Sequence, residues 1–173
     1  NNLLIMEFFI WPNIEYSLNQ FINRSRVNKA DVEQELKDIY PGQHPVLVSS
    51  GRSGIVLSLE YLKLNRSDRV GIAPYSSSCI YQSIGSLADP VPNDLNTQFA
   101  AILVYHQWGF MHKVNFKGPV IEDSVDSIIL SSNGFFPNGG ILEIVSLSKL
   151  LGLPYGGVVF CKSELEAIEI KKI

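Results

Sequence analysis

The chain has 173 residues, 46% of them apolar and only 18% charged, which excludes a disordered chain, since such chains are charge-rich and apolar-poor. Its 17 acidic and 14 basic side chains leave a net charge of −3, so nothing draws it generally to nucleic acid or to an anionic membrane. Cys79 and Cys161 lack metal-ligand spacing and read as small core residues of a reducing compartment, so a cytoplasmic globular domain is the base reading.

Residues 1–30 are expected to form an amino-terminal segment with a docking helix, in which Ile14, Leu18, Phe21 and Ile22 recur at helical spacing. The longest apolar run, residues 3–11, contains Glu7 and falls far short of the ~20 residues a membrane-spanning helix needs. No signal peptide is expected, because a basic start and a small-residue cleavage site are both missing. Residues 31–173 read as one α/β domain. Asp31 is the expected N-cap of a helix through Ile39, with Val32, Leu36 and Ile39 on one face. A short apolar strand at 44–49 leads into Ser50-Gly51-Arg52-Ser53-Gly54, and Ile55, Leu57, Leu59, Leu62 and Leu64 then mark a mostly buried helix.

The strand–turn–helix cycle repeats. Strands are expected at 69–73, 88–91, 99–105, 119–121, 141–145 and 156–160, with a helix at 76–87 and an exposed, charge-alternating helix at 163–172. Only ten residues separate Gly109 from the strand that carries Glu122 and Asp123. A parallel crossover normally needs about a dozen or more, so this connection is expected to be irregular. Alternating strands and helices imply a three-layer α/β/α fold around a mostly parallel sheet of about seven strands.

In such folds ligands sit beyond the carboxyl ends of the strands, and the chemically interesting residues fall there: Ser50, Gly51 and Ser53, then His106, Asp123 and Lys149. The glycine turn before a helix makes a phosphate-sized anion cradle or an ordinary N-cap turn. It is neither a Walker loop nor a nucleophile elbow. Asp123 and Lys149 read either as a surface salt bridge or as chemistry. Lys149 is the lone charge in an apolar stretch, where its amine suits Schiff-base formation; a snorkelling loop lysine is the other reading. Three scattered histidines and two cysteines offer no metal site. Trp108, Phe110 and Met111 form an apolar cluster that reads as subunit contact, core or substrate wall. Phe135 and Phe136 read as interface or core.

Taken in order, Ser50-Gly51 with Ser53, Pro74, His106-Gln107-Trp108-Gly109, Val120-Ile121-Glu122-Asp123, and Lys149 followed by Gly156-Gly157 resemble the DegT-type nucleotide-sugar aminotransferases. These are pyridoxal-phosphate enzymes of the aspartate-aminotransferase fold, and the likeness covers their large domain. The resemblance implies that Lys149 holds pyridoxal 5'-phosphate and moves a proton at the substrate carbon. It implies that Asp123 pairs with the pyridine nitrogen, that Gly51, Arg52 and Ser53 hold the phosphate with Ser146 or Ser148 helping, and that His106 and Asp126 lie near the ring. The implied reaction passes an amino group from an amino acid, typically glutamate, to a keto nucleotide-sugar in surface-polysaccharide or natural-product synthesis. A homodimer is implied as well.

Departures from the family pattern are Ser78 where an aromatic ring is usual, Ile144 and Leu150 flanking the lysine, and Asp126 where glutamine or histidine is usual. Family members also continue into a small carboxy-terminal domain. A non-catalytic relative serving as a binding or assembly module is the alternative reading.

Overall fold

A computed structural model describes residues 28–93, 97–127 and 134–173. The expected docking helix with Ile14 and Ile22 lies outside them. In chain order the elements are α1 (Lys29–Ile39), β1 (His44–Val48), α2 (Gly51–Tyr61), β2 (Arg69–Ile72), α3 (Ser78–Gly85) and β3 (Asp89–Pro92). There follow β4 (Ala101–Tyr105), β5 (Val120–Asp123), β6 (Leu142–Ser146), α4 (Leu147–Leu151), β7 (Gly157–Cys161) and α5 (Glu164–Ile170).

The strands form one seven-stranded sheet in the order β1-β7-β6-β5-β4-β2-β3. β7 is antiparallel to both of its neighbours, and the pairs from β6 through to β3 are parallel. Every residue of β4, β5, β6 and β7 is buried, as expected of central strands covered on both faces. The expected α/β class and seven-strand sheet are what the fold shows.

Period-two alternation divides the core. Tyr105, Leu103, Ile121, Leu142, Ile144 and Val159 face one side, where Ile55 and Leu59 of α2 and Ile80 and Ile84 of α3 complete the main core. On the other side Val145, Val158 and Phe160 meet Phe135 and the flank of α1, and Ile102, Val104 and Val120 meet Phe99, Val114 and Phe116.

Several expectations need correcting. Asn28, not Asp31, caps α1: its side chain accepts from the Asp31 amide, and Asp31 returns the bond to the Asn28 amide. The two polar residues sit three apart, so spacing alone does not say which one leads. α5 is amphipathic rather than exposed, with Ala167 and Ile170 buried and Leu165 outside. Trp108 and Phe110 are 82% and 68% exposed, so they are not core. They flank a tight turn in which Phe110 N donates to Gln107 O and both Trp108 (φ 53°) and Gly109 (φ 79°) have positive φ. Phe135, by contrast, is buried against Tyr40 and Phe160. Between that turn and β5 the chain forms no helix, as the ten-residue spacing requires.

Candidate active site

The carboxyl ends of β4, β5 and β6 and the amino ends of α2 and α3 enclose a cleft of about 330 Å³, a size suited to a small ligand. Its polar lining includes Ser50, Arg52, Asp123, Ser146, Ser148 and Lys149. Ile55, Ile80, Tyr105 and Val125 supply apolar wall.

Ser50 starts α2 through a capping box. Its hydroxyl accepts from Ser53 N, and the Ser53 hydroxyl accepts from Ser50 N. The Ser53 hydroxyl also donates to Ser50 O at 2.8 Å. It is therefore committed to the turn itself and is not among the cleft-lining residues. With Ser53 N and Gly54 N bonded to Ser50, the amides of Gly51 and Arg52 stay outside the box, at the positive end of the helix. Ser50 was expected at this rim together with Gly51 and Ser53, and the box it forms is signalled by a serine three before another serine at a helix start.

This turn is pressed against the strand after Lys149. Gly156 N donates to Ser49 O, and Gly156 O accepts from Leu147 N and Ser148 N. A Cβ on Gly157 would lie 2.8 Å from Ser50 C and 2.9 Å from Gly51 N, so only glycine permits this approach. The glycine pair thus joins the α2 amino end to the segment that carries the lysine. Ser146 caps that segment, its hydroxyl 3.4 Å from Lys149 N and 3.0 Å from the Ser148 hydroxyl.

Asp123 is completely buried. Its Oδ1 accepts from Val125 N at 3.2 Å, and its Oδ2 has no partner. Burial pushes its carboxyl up to about 6, against the Val125 amide and the charges of Lys149 and His106. Lys149 Nζ does not reach Asp123. It donates to Asp126 Oδ1 at 2.6 Å, while Asp126 Oδ2 accepts the Tyr105 hydroxyl.

His106 was expected near the cofactor ring, but although its backbone N donates to Asp123 O, its side chain lies on the opposite face of the sheet from that of Asp123. Tyr105 is the residue level with Asp123 in the β4–β5 register, so the next side chain, His106, turns to the opposite face. There its Nε2 donates to Glu122 Oε2 at 2.8 Å and its Nδ1 accepts from His112 N. Glu122 also accepts from the backbone and side chain of Asn138 and from Gly140 N. Burial acts to raise Glu122, and these four bonds together hold it below its usual value. Neighbouring Glu143 is raised by burial to about 6 despite bonds from Phe136 N and Ser124. This face clasps the loop from Phe135 to Gly140 and is not part of the cleft. No feature of the sequence alone revealed the Glu122–Asn138 contacts, because they join a strand to a loop sixteen residues on.

Among the described residues no group of His, Cys, Asp and Glu is placed to hold a metal, and no helix is long and apolar enough to cross a membrane. The mostly parallel, seven-stranded sheet is that of the large domain of the aspartate-aminotransferase fold. The family model described as "Putative PLP-dependent aminotransferase" matches residues 32–173, and the chain belongs to this family, whose cofactor is pyridoxal phosphate.

Solved structures share the fold. NtdA of Bacillus subtilis, with bound cofactor PMP, is similar at 20% identity and TM-score 0.66, over 82% of this chain and 38% of its own. A DegT/DnrJ/EryC1/StrS aminotransferase of Brucella abortus is similar at 15% identity and TM-score 0.66, over 83% and 48%. GDP-4-keto-6-deoxymannose-3-dehydratase with bound GDP-perosamine is similar at 17% identity and TM-score 0.56, over 80% and 45%. This chain thus spans less than half the length of these three. A search of curated proteins finds no match.

Proposed function

We propose that this chain is the cofactor-binding domain of an aminotransferase that moves an amino group from an amino acid, glutamate by the family resemblance, to a keto nucleotide-sugar. The observation that carries the reading is the orphan Oδ2 of Asp123, a fully buried acceptor without a donor in a cleft that also holds Lys149. A buried polar atom left unpaired is costly, and a protonated ring nitrogen is a donor of the kind it lacks. When bound, pyridoxal phosphate supplies an aldehyde and an electron-withdrawing ring.

The chain's own residues divide the work. The amides of Gly51 and Arg52, the Arg52 side chain and the hydroxyls of Ser50, Ser146 and Ser148 bind phosphate at the helix amino end. Ser53 supports that turn through the capping box. Asp123 orients the ring and keeps its nitrogen protonated. Ile55, Ile80 and Val125 exclude water. Lys149 attaches the cofactor through Nζ and, when released, carries a proton at the substrate carbon. The enzyme works as a homodimer in the cytoplasm, and the exposed Trp108, Phe110 and Met111 offer apolar surface for a subunit contact.

The ion pair that occupies Lys149 favours a second reading, a relative that keeps the fold without the chemistry. An absorption spectrum with added pyridoxal phosphate separates the two. A band at the edge of the visible that is lost in Lys149→Ala supports the enzyme. Identical spectra for the two proteins would overturn it in favour of the non-catalytic relative.

A further inference from the structure

Asp126 has two partners in this structure, and both bear on Lys149. Its Oδ1 lies 2.6 Å from Lys149 Nζ, and its Oδ2 accepts the hydroxyl of Tyr105 from the end of β4. The lysine side chain is 35% exposed and the aspartate 19%, so the pair is half-screened by solvent rather than sealed. Three elements contribute: the turn after β5 supplies Asp126, β4 supplies Tyr105 and α4 supplies Lys149. The other charged or titratable side chains of the cleft are Arg52, Cys79 and Asp123, and no bond joins any of them to Lys149 Nζ.

We infer that Asp126 is a positioning residue that holds Lys149 as its ion-pair partner, so that the lysine captures an aldehyde only after release from Asp126, and that Tyr105 weakens that hold. For identifying the natural aldehyde, the inference rests on the cofactor reading above; for the behaviour of the amine it does not. An ammonium has no lone pair to give. Release from Asp126 and loss of one proton to solvent free the pair on Nζ. Nζ then bonds to the carbonyl carbon, and the carbonyl oxygen leaves as water with the two hydrogens of the amine. A hydrogen bond from Tyr105 draws charge on the carboxylate toward Oδ2 and away from the lysine. Removing the carboxylate charge therefore speeds capture, and removing the phenol hydroxyl slows it. A residue that merely filled space would not give opposite signs.

The test uses the 173-residue chain with formaldehyde and cyanoborohydride, whose hydride reduces the imine carbon and fixes each capture as a methyl group. Peptide mass spectrometry reads the rate at Lys149 against exposed Lys63 in the same molecule. Asp126→Asn should raise the Lys149 rate about fivefold, the upper range for a partly exposed ion pair. Tyr105→Phe, which keeps the ring in place and guards against a misfolded Asp126→Asn, should lower it about threefold. Equal rates in all three proteins, or a rise in both variants, would overturn the inference. A parallel series with pyridoxal phosphate and borohydride isolates the cofactor reading. Methylation that follows the expected order, with no phosphopyridoxyl mark on Lys149 in any of the three, supports the counter-ion role and overturns the cofactor reading.

Discussion

Gly157→Ala tests how the cleft is assembled. The new methyl carbon would sit 2.8 Å from Ser50 C, 2.9 Å from Gly51 N and 3.0 Å from Ser50 O. All three are backbone atoms, so no side chain can swing aside, and either β7 or the α2 amino end must retreat. Overpacking of this kind costs about 1–3 kcal/mol. If β7 withdraws, the 2.8 Å bond from Gly156 N to Ser49 O is lost as well, adding about 1 kcal/mol. The expected destabilisation is therefore about 2–4 kcal/mol, read from urea unfolding followed by far-ultraviolet circular dichroism. Binding of pyridoxal phosphate should weaken in parallel, because the displaced Gly51 and Arg52 amides belong to the same turn. Gly85→Ala is the control: its Cβ would meet only Pro90 Cγ, at 4.0 Å, so stability should be unchanged or up to about 1 kcal/mol higher. A Gly157→Ala protein within about 0.5 kcal/mol of the parent, with unaltered binding, would refute the close-approach argument.

Asp123→Asn should change how stability depends on pH. Asp123 keeps its proton to about 6 in the folded chain, against an ordinary 3.8. Between those values the folded state binds more protons than the unfolded one, so stability falls as pH rises through the window, by about 3 kcal/mol in all. Asparagine lacks this slope. The stability of Asp123→Asn relative to the parent should thus climb between pH 4 and 6, while the same-sign contribution of Glu143 cancels in the comparison; a difference that stays flat with pH is the contrary result. Glu122→Gln should destabilise the chain by about 2–4 kcal/mol in urea, since four donors point at Glu122 and either orientation of a carboxamide turns its NH₂ toward some of them. Lys149 methylation should not change in that variant, because Glu122 lies on the opposite face of the sheet; an altered rate would show that the two faces are coupled.

Much of this protein was legible locally. Continuous apolar runs such as residues 101–105 announced buried strands, because a strand covered on both faces has no polar side to show. The Gly-Ser turn at Ser50 marked a helix start, because capping is a contact between residues three apart, whereas the short helix Leu147–Leu151 was not expected. The order of glycine turn, Glu-Asp strand, lysine and glycine pair led to the family. Placement across the sheet was another matter. Whether His106 or Tyr105 stands beside Asp123 depends on the β4–β5 register, and a shift of one residue exchanges the faces. Residue spacing likewise leaves Lys149 either in a salt bridge with Asp123 or open to chemistry. The sequence offered Asp123, whereas the turn after β5 brings Asp126 to 2.6 Å and leaves Asp123 buried with one oxygen unpaired. Local pattern determined which segments became strands and helices, since those preferences act between near neighbours. Which carboxylate meets which cation was decided by long-range pairing, in which residues far apart along the chain settle into one register and one face.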